Sequence, residues 1–389
     1  MKFTKDSLRS YIFKNRCTIA GIGPMSKTCI ETSIKISNKH KFPLMLISSR
    51  RQIESKKQGG GYVENWDTFQ YSNYVKKLDK EKTVILCRDH GGPWQNENDL
   101  KNNLNKSQAL RKAKESYMED IDAGFKILHI DTSVSPSNNL SKKEVNNMLF
   151  ELYAFCMDYA ASKKKKIMIE VGTEEQNSFS STLLQIENNL KTISIFCEKY
   201  RFPKPIFFVA QTGTKVMETK NIGSFDSPIR IKNELPSEIL LPKLIQLCEK
   251  YKIMLKEHNT DYISVDSLKW HPRLNIHAAN IAPEFGVTET LAILNILESN
   301  NLNDLADHFI DLSYKSLKWK KWVIDEDKLN KRKKAVLAGH YVFSNQEFLS
   351  LKKTAIIKLR KKGINFNNQI KNSLEKILLK YFLNFRLIK

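Results

Sequence analysis

The stretch "TVILCRDHGGPWQ" (83–95) joins a short apolar run to three consecutive polar residues and two glycines. The apolar part has the composition of a buried strand, and Arg88, Asp89 and His90 stand at its carboxyl end. A buried charge is costly unless it is paired, bound to a metal or used in chemistry. If other apolar runs also end in polar residues, Arg88, Asp89 and His90 belong to a shared site. If none does, they are a local feature of this run.

Short apolar runs alternate with longer amphipathic segments along most of the chain. The eight runs are "TIAGIGP" (18–24), "LMLISS" (44–49), "TVILCRDH" (83–90), "FKILHIDTS" (125–133), "KIMIEVGTE" (166–174), "IFFVAQTGT" (206–214), "IMLKEHNTDY" (253–262) and "LNIHAANIAPEFG" (274–286). The segments between them, such as 141–164, have the apolar spacing of helices. Strands joined by helices run parallel, and eight of them predict an α/β fold, a closed (β/α)8 TIM barrel rather than an open doubly wound sheet. The first run is followed by neither a GxGxxG nor a GxxxxGKS/T motif, which disfavours a dinucleotide-binding or P-loop fold.

The barrel pattern ends well before the chain does. Because the segment 288–299 is predicted to be the last barrel helix, we assign residues 1–299 to the barrel and residues 300–389 to a C-terminal helical extension. The end of this extension is basic and amphipathic, for instance in "SLEKILLKYFLNF" (373–385). We expect the extension to pack on the barrel, and docking to a partner or to an anionic surface is the alternative.

The chain of 389 residues carries a formal net charge of +22. A charge of this size can indicate binding to nucleic acid or to an anionic membrane. Lys, Asn and Ile are frequent throughout the chain, however, as AT-biased coding would produce, so we do not expect nucleic-acid binding to be the main role. The positive charge also suits a substrate that carries phosphate or carboxylate groups.

The sequence predicts neither a membrane span nor a secretion signal. No run reaches the roughly 18–20 apolar residues that a membrane helix needs, and the N-terminal segment lacks the apolar stretch of a signal peptide. The six cysteines have no CxxC spacing and most lie in apolar patterns, as expected for reduced core residues. We therefore expect a cytoplasmic protein.

Polar residues follow most of the predicted strands, and in a barrel of this type the carboxyl ends of the strands converge on one face. Four strands offer a histidine there and five offer an acid. So many imidazoles and carboxylates would repel or desolvate one another without a cation, which predicts a divalent metal site and favours zinc. A metal that polarises a substrate carbonyl, together with a carboxylate base, suits aldol cleavage or enediolate isomerisation.

Seven motifs distributed over the chain form a set: "QGGGYVENW" (58–66), "RDHGGPW" (88–94), "AGFKILHIDTS" (123–133), "VGTEEQ" (171–176), "KEHNTDY" (256–262), "NIAPEFGVTETLAIL" (280–294) and "LAGHYVFSNQEF" (337–348). Together they resemble the class II D-tagatose-1,6-bisphosphate aldolase family, and most closely its companion, Z-type subunit. The resemblance implies a zinc-dependent aldol mechanism, with Asp89 as general acid/base and His90 and His258 as zinc ligands. It also implies a partner, because Z-type subunits are regarded as supporting a separate aldolase chain.

The sixth run departs from the family, because "VAQTGTKVMETKN" (209–221) lacks the zinc histidine that the catalytic aldolases carry there. His277 is our choice for the third ligand, and His129 and Glu174 are the alternatives. Glu174 and Asp261 are further catalytic candidates beside Asp89. The predicted substrate-binding residues are Arg51, Gln52, His129, Asp131, Lys215 and Asn280. An arginine in this set suits a bidentate contact with a carboxylate or phosphate.

These observations lead us to expect a zinc-dependent aldolase, or a related carbon–carbon lyase or epimerase, that acts on a phosphorylated or acidic sugar. The alternative is a non-catalytic barrel that stabilises a partner tagatose-bisphosphate aldolase. Schiff-base chemistry would need a lysine in the barrel mouth, for which Lys215 and Lys256 are the candidates, although Lys256 could point outward. We also expect the chain to form at least a dimer.

Overall fold

Eight parallel strands close into a barrel, which confirms the predicted TIM barrel. The computed structural model describes residues 3–136, 140–172, 183–210, 215–223 and 237–389. The barrel strands are β1 (Ile19–Ile22), β2 (Leu44–Ser48), β3 (Val84–Gly91), β4 (Ile127–Asp131), β5 (Met168–Gly172), β6 (Phe207–Ala210), β9 (Met254–Glu257) and β10 (Ala278–Ile281). Pairing of β1 with β10 closes the barrel. Two short antiparallel strands, β7 (Lys215–Met217) and β8 (Lys220–Ile222), form a hairpin outside it.

Helices follow the strands in the order that the sequence predicts. They are α1 (Lys5–Asn15), α2 (Lys27–His40), α3 (Thr68–Leu78), α4 (Glu97–Lys101), α5 (Lys106–Ala123), α6 (Lys142–Ser162), α7 (Leu183–Tyr200), α8 (Ser237–Lys250), α9 (Val265–Leu268), α10 (Trp270–Arg273) and α11 (Pro283–Ser299). The predicted helix at 141–164 is α6, and it begins with a capping box in which Ser141 and Glu144 satisfy each other's backbone N–H groups. Local side-chain chemistry thus fixes where this helix begins.

The rest of the chain is helical and packs against the barrel. Its elements are α12 (Asn303–Lys315), α13 (Lys331–Ala338), α14 (Gln346–Arg360) and α15 (Phe366–Asn384), with single 3-10 turns at Lys318–Trp322, Glu326–Lys328 and Gly339–Val342. The last helix, α15, contacts α11 and α2, the helices that follow the last and first barrel strands. Phe382 of α15 is fully buried, with its ring centre 4.9 Å from that of Phe42. The boundary between residues 299 and 300 stays a prediction.

The six cysteines are buried as free thiols, as the sequence predicts. Across the described ranges, every helix falls short of the length and apolar character needed to cross a bilayer.

Candidate active site

A pocket opens at the carboxyl ends of the barrel strands and contains most of the residues predicted from the sequence. These are Arg51, Gln52, Asp89, His90, His258, Asp261 and Asn280. The pocket also has a wall that was not predicted, which Lys321, Trp322 and Tyr341 of the C-terminal extension supply together with Tyr62. The barrel mouth is therefore built from both parts of the chain.

The end of β3 explains how Asp89 and His90, neighbours in the sequence, both reach the pocket. Neighbouring residues of a strand normally face opposite sides of the sheet. Here the pairing of β3 with β4 shifts register between Arg88 and Gly91, and His90 adopts a left-handed φ of 43°. Irregularities of this kind redirect side chains. Arg88 keeps the outward direction, and its guanidinium donates to the buried carboxylate of Asp120 at 2.7 and 2.5 Å.

His90 is oriented by a carboxylate behind it. Its Nδ1 lies 2.7 Å from Oδ2 of Asp131. Burial lowers the pKa of His90, but the carboxylates of Asp89 and Asp131 outweigh burial and raise it. A neutral His90 that donates from Nδ1 to Asp131 offers Nε2 to a metal ion. The ring centre of His258 lies 4.8 Å from that of His90. Ligand atoms of Asp89, His90 and His258 lie within 4.8 Å of one another. Two imidazoles, one of them held by the carboxylate of Asp131, can bind a divalent metal ion such as zinc, and the carboxylate of Asp89 lies beside them.

Charges around the pocket set the protonation of this cluster. Burial raises the pKa of Asp89, but His90, a hydrogen bond from His129 and the Lys256 charge outweigh it and hold that pKa well below its ordinary value. Burial and the neighbouring His90 lower the pKa of His258 to about 3. Asp89 is therefore a carboxylate and His258 a neutral imidazole at neutral pH. These are the protonation states that a general base and a metal ligand require.

Lys256 lies inside the barrel, below this cluster, and does not point outward as the sequence suggested. It is two residues from His258, and residues two apart share a face of a strand. Its Nζ donates to both carboxylate oxygens of Glu170, at 2.7 and 2.9 Å, and both side chains are fully buried. Burial lowers the pKa of Lys256, but the carboxylates of Glu170 and Asp89 outweigh burial and raise it. An ammonium held in this way is a poor Schiff-base nucleophile, because the amine must be neutral to attack.

Two predicted site residues, His277 and Lys215, do not join the cluster. His277 precedes β10, at the amino end of the barrel, where its Nδ1 accepts the N–H of Leu255 at 3.0 Å and its ring contacts Phe13 of α1. The structure therefore does not bring His277 to His90 and His258. Lys215 lies in the β7–β8 hairpin and does not line the pocket. Glu174 lies outside the described residues.

His129 and Asp131 lie behind the pocket surface rather than on it. Nδ1 of His129 is 3.5 Å from Oδ1 of Asp89 and 3.9 Å from Oε1 of Glu170. It therefore links the catalytic candidate Asp89 to the Glu170–Lys256 pair. Asp131 contacts His90, as described above. Both were predicted to bind substrate, and the geometry gives each of them a contact with another site residue instead.

Asp261 holds the loop that follows His258. Its Oδ1 accepts the N–H groups of Ala282 and Glu284, both at 2.9 Å, at the start of α11. Burial and the Glu284 carboxylate raise the pKa of Asp261 to about 8. Asn280, on β10, donates to Oδ1 of Asp89 at 3.3 Å and so orients that carboxylate.

The C-terminal extension reaches this loop as well. Tyr381 of α15 donates a hydrogen bond to Glu284, and Nζ of Lys380 lies 3.2 Å from the same carboxylate. Neither residue has a motif that the sequence could reveal. Tyr341 does lie in the motif 337–348, which is the one signal that pointed from the extension to the site.

Comparison with known proteins agrees with this geometry. Residues 8–176 match the model of the D-tagatose-1,6-bisphosphate aldolase subunit GatZ/KbaZ-like family. The resemblance inferred from the motifs is thereby confirmed over this part of the chain, which includes Asp89, His90, His129 and Asp131. No curated protein sequence matches the chain.

Solved structures share the fold at low sequence identity. A probable tagatose 6 phosphate kinase from Sinorhizobium meliloti 1021 superposes with a TM-score of 0.72 at 17% identity, over 94% of this chain and 100% of that one. The fructose-bisphosphate aldolase of Campylobacter jejuni gives 0.52 at 13% identity, over 99% and 96% of the two chains. The fructuronate-tagaturonate epimerase of Cohnella laeviribosi gives 0.54 at 10% identity, over 95% and 81%. The chain thus shares its barrel fold with these proteins.

Proposed function

We propose that this chain is a zinc-dependent, class II-like aldolase, or a related carbon–carbon lyase or epimerase, that acts on a phosphorylated sugar. The observation that carries the proposal is the cluster of Asp89, His90 and His258 at the pocket floor, with Asp131 holding Nδ1 of His90. The family match over residues 8–176 supports the same chemistry.

In this proposal His90 and His258 hold the metal and Asp89 moves the proton. Zinc, when bound, supplies a Lewis acid that polarises the substrate carbonyl. Asp89 is ionised and lines the pocket, so it can accept the proton of the substrate hydroxyl whose loss allows the carbon–carbon bond to break. Asn280 fixes one oxygen of Asp89, and the other oxygen faces His90 at 3.8 Å. Asp131 keeps His90 in the tautomer that offers Nε2 to the metal.

Metal content tests the proposal directly. We expect near one zinc per chain in the purified native protein by elemental mass spectrometry, and loss of that zinc in the double variant His90→Ala/His258→Ala. His277→Ala, at the opposite end of the barrel, is the matched control and should retain zinc. The native chain should then cleave D-tagatose 1,6-bisphosphate or another ketose bisphosphate in a coupled assay for the triose phosphate product. A chain that stays free of metal after zinc is supplied contradicts the proposal.

A second candidate is a non-catalytic barrel that stabilises a separate aldolase chain. The position of His277 favours it, because the residue chosen from the sequence as the third ligand lies at the opposite end of the barrel from His90 and His258. The description of the matching family as an aldolase subunit also favours it. In that case the purified chain has no metal and no lyase activity of its own. Addition of the chain to a purified tagatose-bisphosphate aldolase should then raise the activity or the thermal stability of that aldolase.

A further inference from the structure

We propose that the C-terminal extension supplies part of the substrate site, in which Lys321 and Arg51 bind a phosphate group of the sugar. The inference rests on the proposed function for the identity of the sugar. The anion site itself depends only on the pocket wall that Lys321, Trp322 and Tyr341 form. No sequence motif assigns a role to Lys321 or Trp322.

Lys321 lines the pocket, and its ammonium contacts two aromatic rings. Its Nζ lies 4.7 Å from the ring centre of Trp322 and 5.1 Å from that of Tyr341. The indole Nε1 of Trp322 donates to Oη of Tyr341 at 3.3 Å, which ties the two rings together. Cation–π contacts hold a charge without neutralising it. Lys321 has no carboxylate within ion-pair distance in the described part of the chain.

Arg51 is the second cation of this wall, and unlike Arg50 and Lys318 it has no carboxylate within ion-pair distance among the described residues. Arg50 is buried and its guanidinium is used by Glu54 at 2.6 Å and Asp99 at 3.0 Å. Lys318 pairs with Glu97. For Arg51 the described residues provide one long contact, from Nε to the carbonyl oxygen of Gln95 at 3.4 Å. Glu54, Asp99 and Glu97 are therefore each paired with another cation, and Glu97 interacts with Arg51 and Lys321 only beyond ion-pair distance, which leaves both cations able to bind an external anion.

Hydrogen bonds and ring contacts fix the wall formed by Lys321, Trp322 and Tyr341 to the barrel and to the hairpin. The N–H of Glu218, in the hairpin turn, donates to the carbonyl oxygen of Trp322 at 2.6 Å. Ser344 donates to the carbonyl oxygen of Tyr62 at 2.8 Å, and the rings of Tyr62 and Tyr341 lie 4.9 Å apart. These contacts place two cations and three aromatic faces beside one pocket.

This combination fits a sugar phosphate better than a free sugar or a carboxylate. Aromatic faces contact the C–H surface of a sugar, and a phosphate monoester carries close to two negative charges at neutral pH. Two cations, one of which can form bidentate hydrogen bonds, match that charge. A uronate offers a single negative charge and is the other anionic sugar that the test must separate.

Isothermal titration of the purified full-length chain tests the inference, with D-tagatose 6-phosphate, D-tagatose and D-galacturonate as probes. We expect D-tagatose 6-phosphate to bind best and Lys321→Met to weaken it by about tenfold or more, the loss typical of one hydrogen bond to a charged group. Lys321→Arg should restore most of the affinity. Lys320→Met is the matched control, because Lys320 is the exposed neighbour that does not line the pocket, and it should bind like the native chain.

The outcomes separate this inference from the proposed function. Binding that is lost in Lys321→Met but retained in His90→Ala/His258→Ala supports the anion site even if no lyase activity is found. Equal affinities for Lys321→Met and Lys320→Met overturn it. Stronger binding of D-galacturonate than of D-tagatose 6-phosphate, or no binding of the phosphate by the native chain, also overturns it.

Discussion

The buried pair of Lys256 and Glu170 offers the sharpest test of how this barrel tolerates charge in its interior. Lys256→Met keeps a similar side-chain volume but removes the ammonium that donates to Glu170 at 2.7 and 2.9 Å. The carboxylate of Glu170 is then left fully buried and without its counter-charge. Removal of one partner of a buried pair costs about 3–5 kcal/mol. This is a large fraction of the ~5–15 kcal/mol by which folded proteins are stable.

Urea unfolding followed by circular dichroism measures this cost. We expect Lys256→Met to lower the unfolding midpoint strongly and the double variant Lys256→Met/Glu170→Leu to regain most of the loss, because no unpaired charge remains. Lys250→Met is the matched control, since Lys250 also contacts a glutamate, Glu187, at 2.6 Å but is exposed; it should change the midpoint little. If Lys256→Met proves no more destabilising than Lys250→Met, or if the double variant is worse than the single, the reasoning is wrong.

Three further predictions concern the pocket. Asp131→Asn should reduce zinc affinity about 10- to 100-fold, because it loosens Nδ1 of His90; competition with a chelator measures this. Asp89→Asn should retain zinc and lower the turnover number about 10²- to 10⁴-fold, as expected if Asp89 is a general base rather than a metal ligand. Loss of zinc in this variant would show that Asp89 is a ligand. The pKa of Asp261 is raised to about 8 in the folded state, which therefore binds this proton more tightly than the unfolded state does. The free energy of unfolding of the native chain, relative to that of Asp261→Asn, should fall as pH rises from about 4 to 8. A difference that does not change with pH contradicts that pKa.

The barrel itself could be predicted from the sequence, since each of its eight strands coincides with a predicted apolar run, and only Gly91 of β3 extends beyond its run. Buried parallel strands are short and continuously apolar, and amphipathic helices must separate them, so local composition and order are sufficient. The same rule placed the polar strand ends at one mouth. Asp89, His90 and His258 lie close together there because the carboxyl ends of all strands in a parallel barrel are on the same face.

Side-chain direction was harder to predict, because one residue of register reverses it. The register shift after Arg88 directs His90 into the pocket beside Asp89. No feature of the local sequence predicts this shift. His277 was misplaced for a related reason. The apolar run 274–286 is longer than the strand Ala278–Ile281, and His277 lies in the part of the run that precedes the strand, at the amino end of the barrel.

The sequence by itself thus determined the architecture and the chemical character of the mouth, because periodicity and strand-end polarity are local properties. Tertiary structure alone decided which groups are used. It paired Arg88 with Asp120 and Lys256 with Glu170, which leaves neither cation free to bind substrate. It also brought Lys321 to the mouth, roughly 60 residues after His258 in the chain. Contacts across such distances depend on how the helical extension packs against the barrel, and side-chain packing of that kind leaves no periodic signal in the sequence.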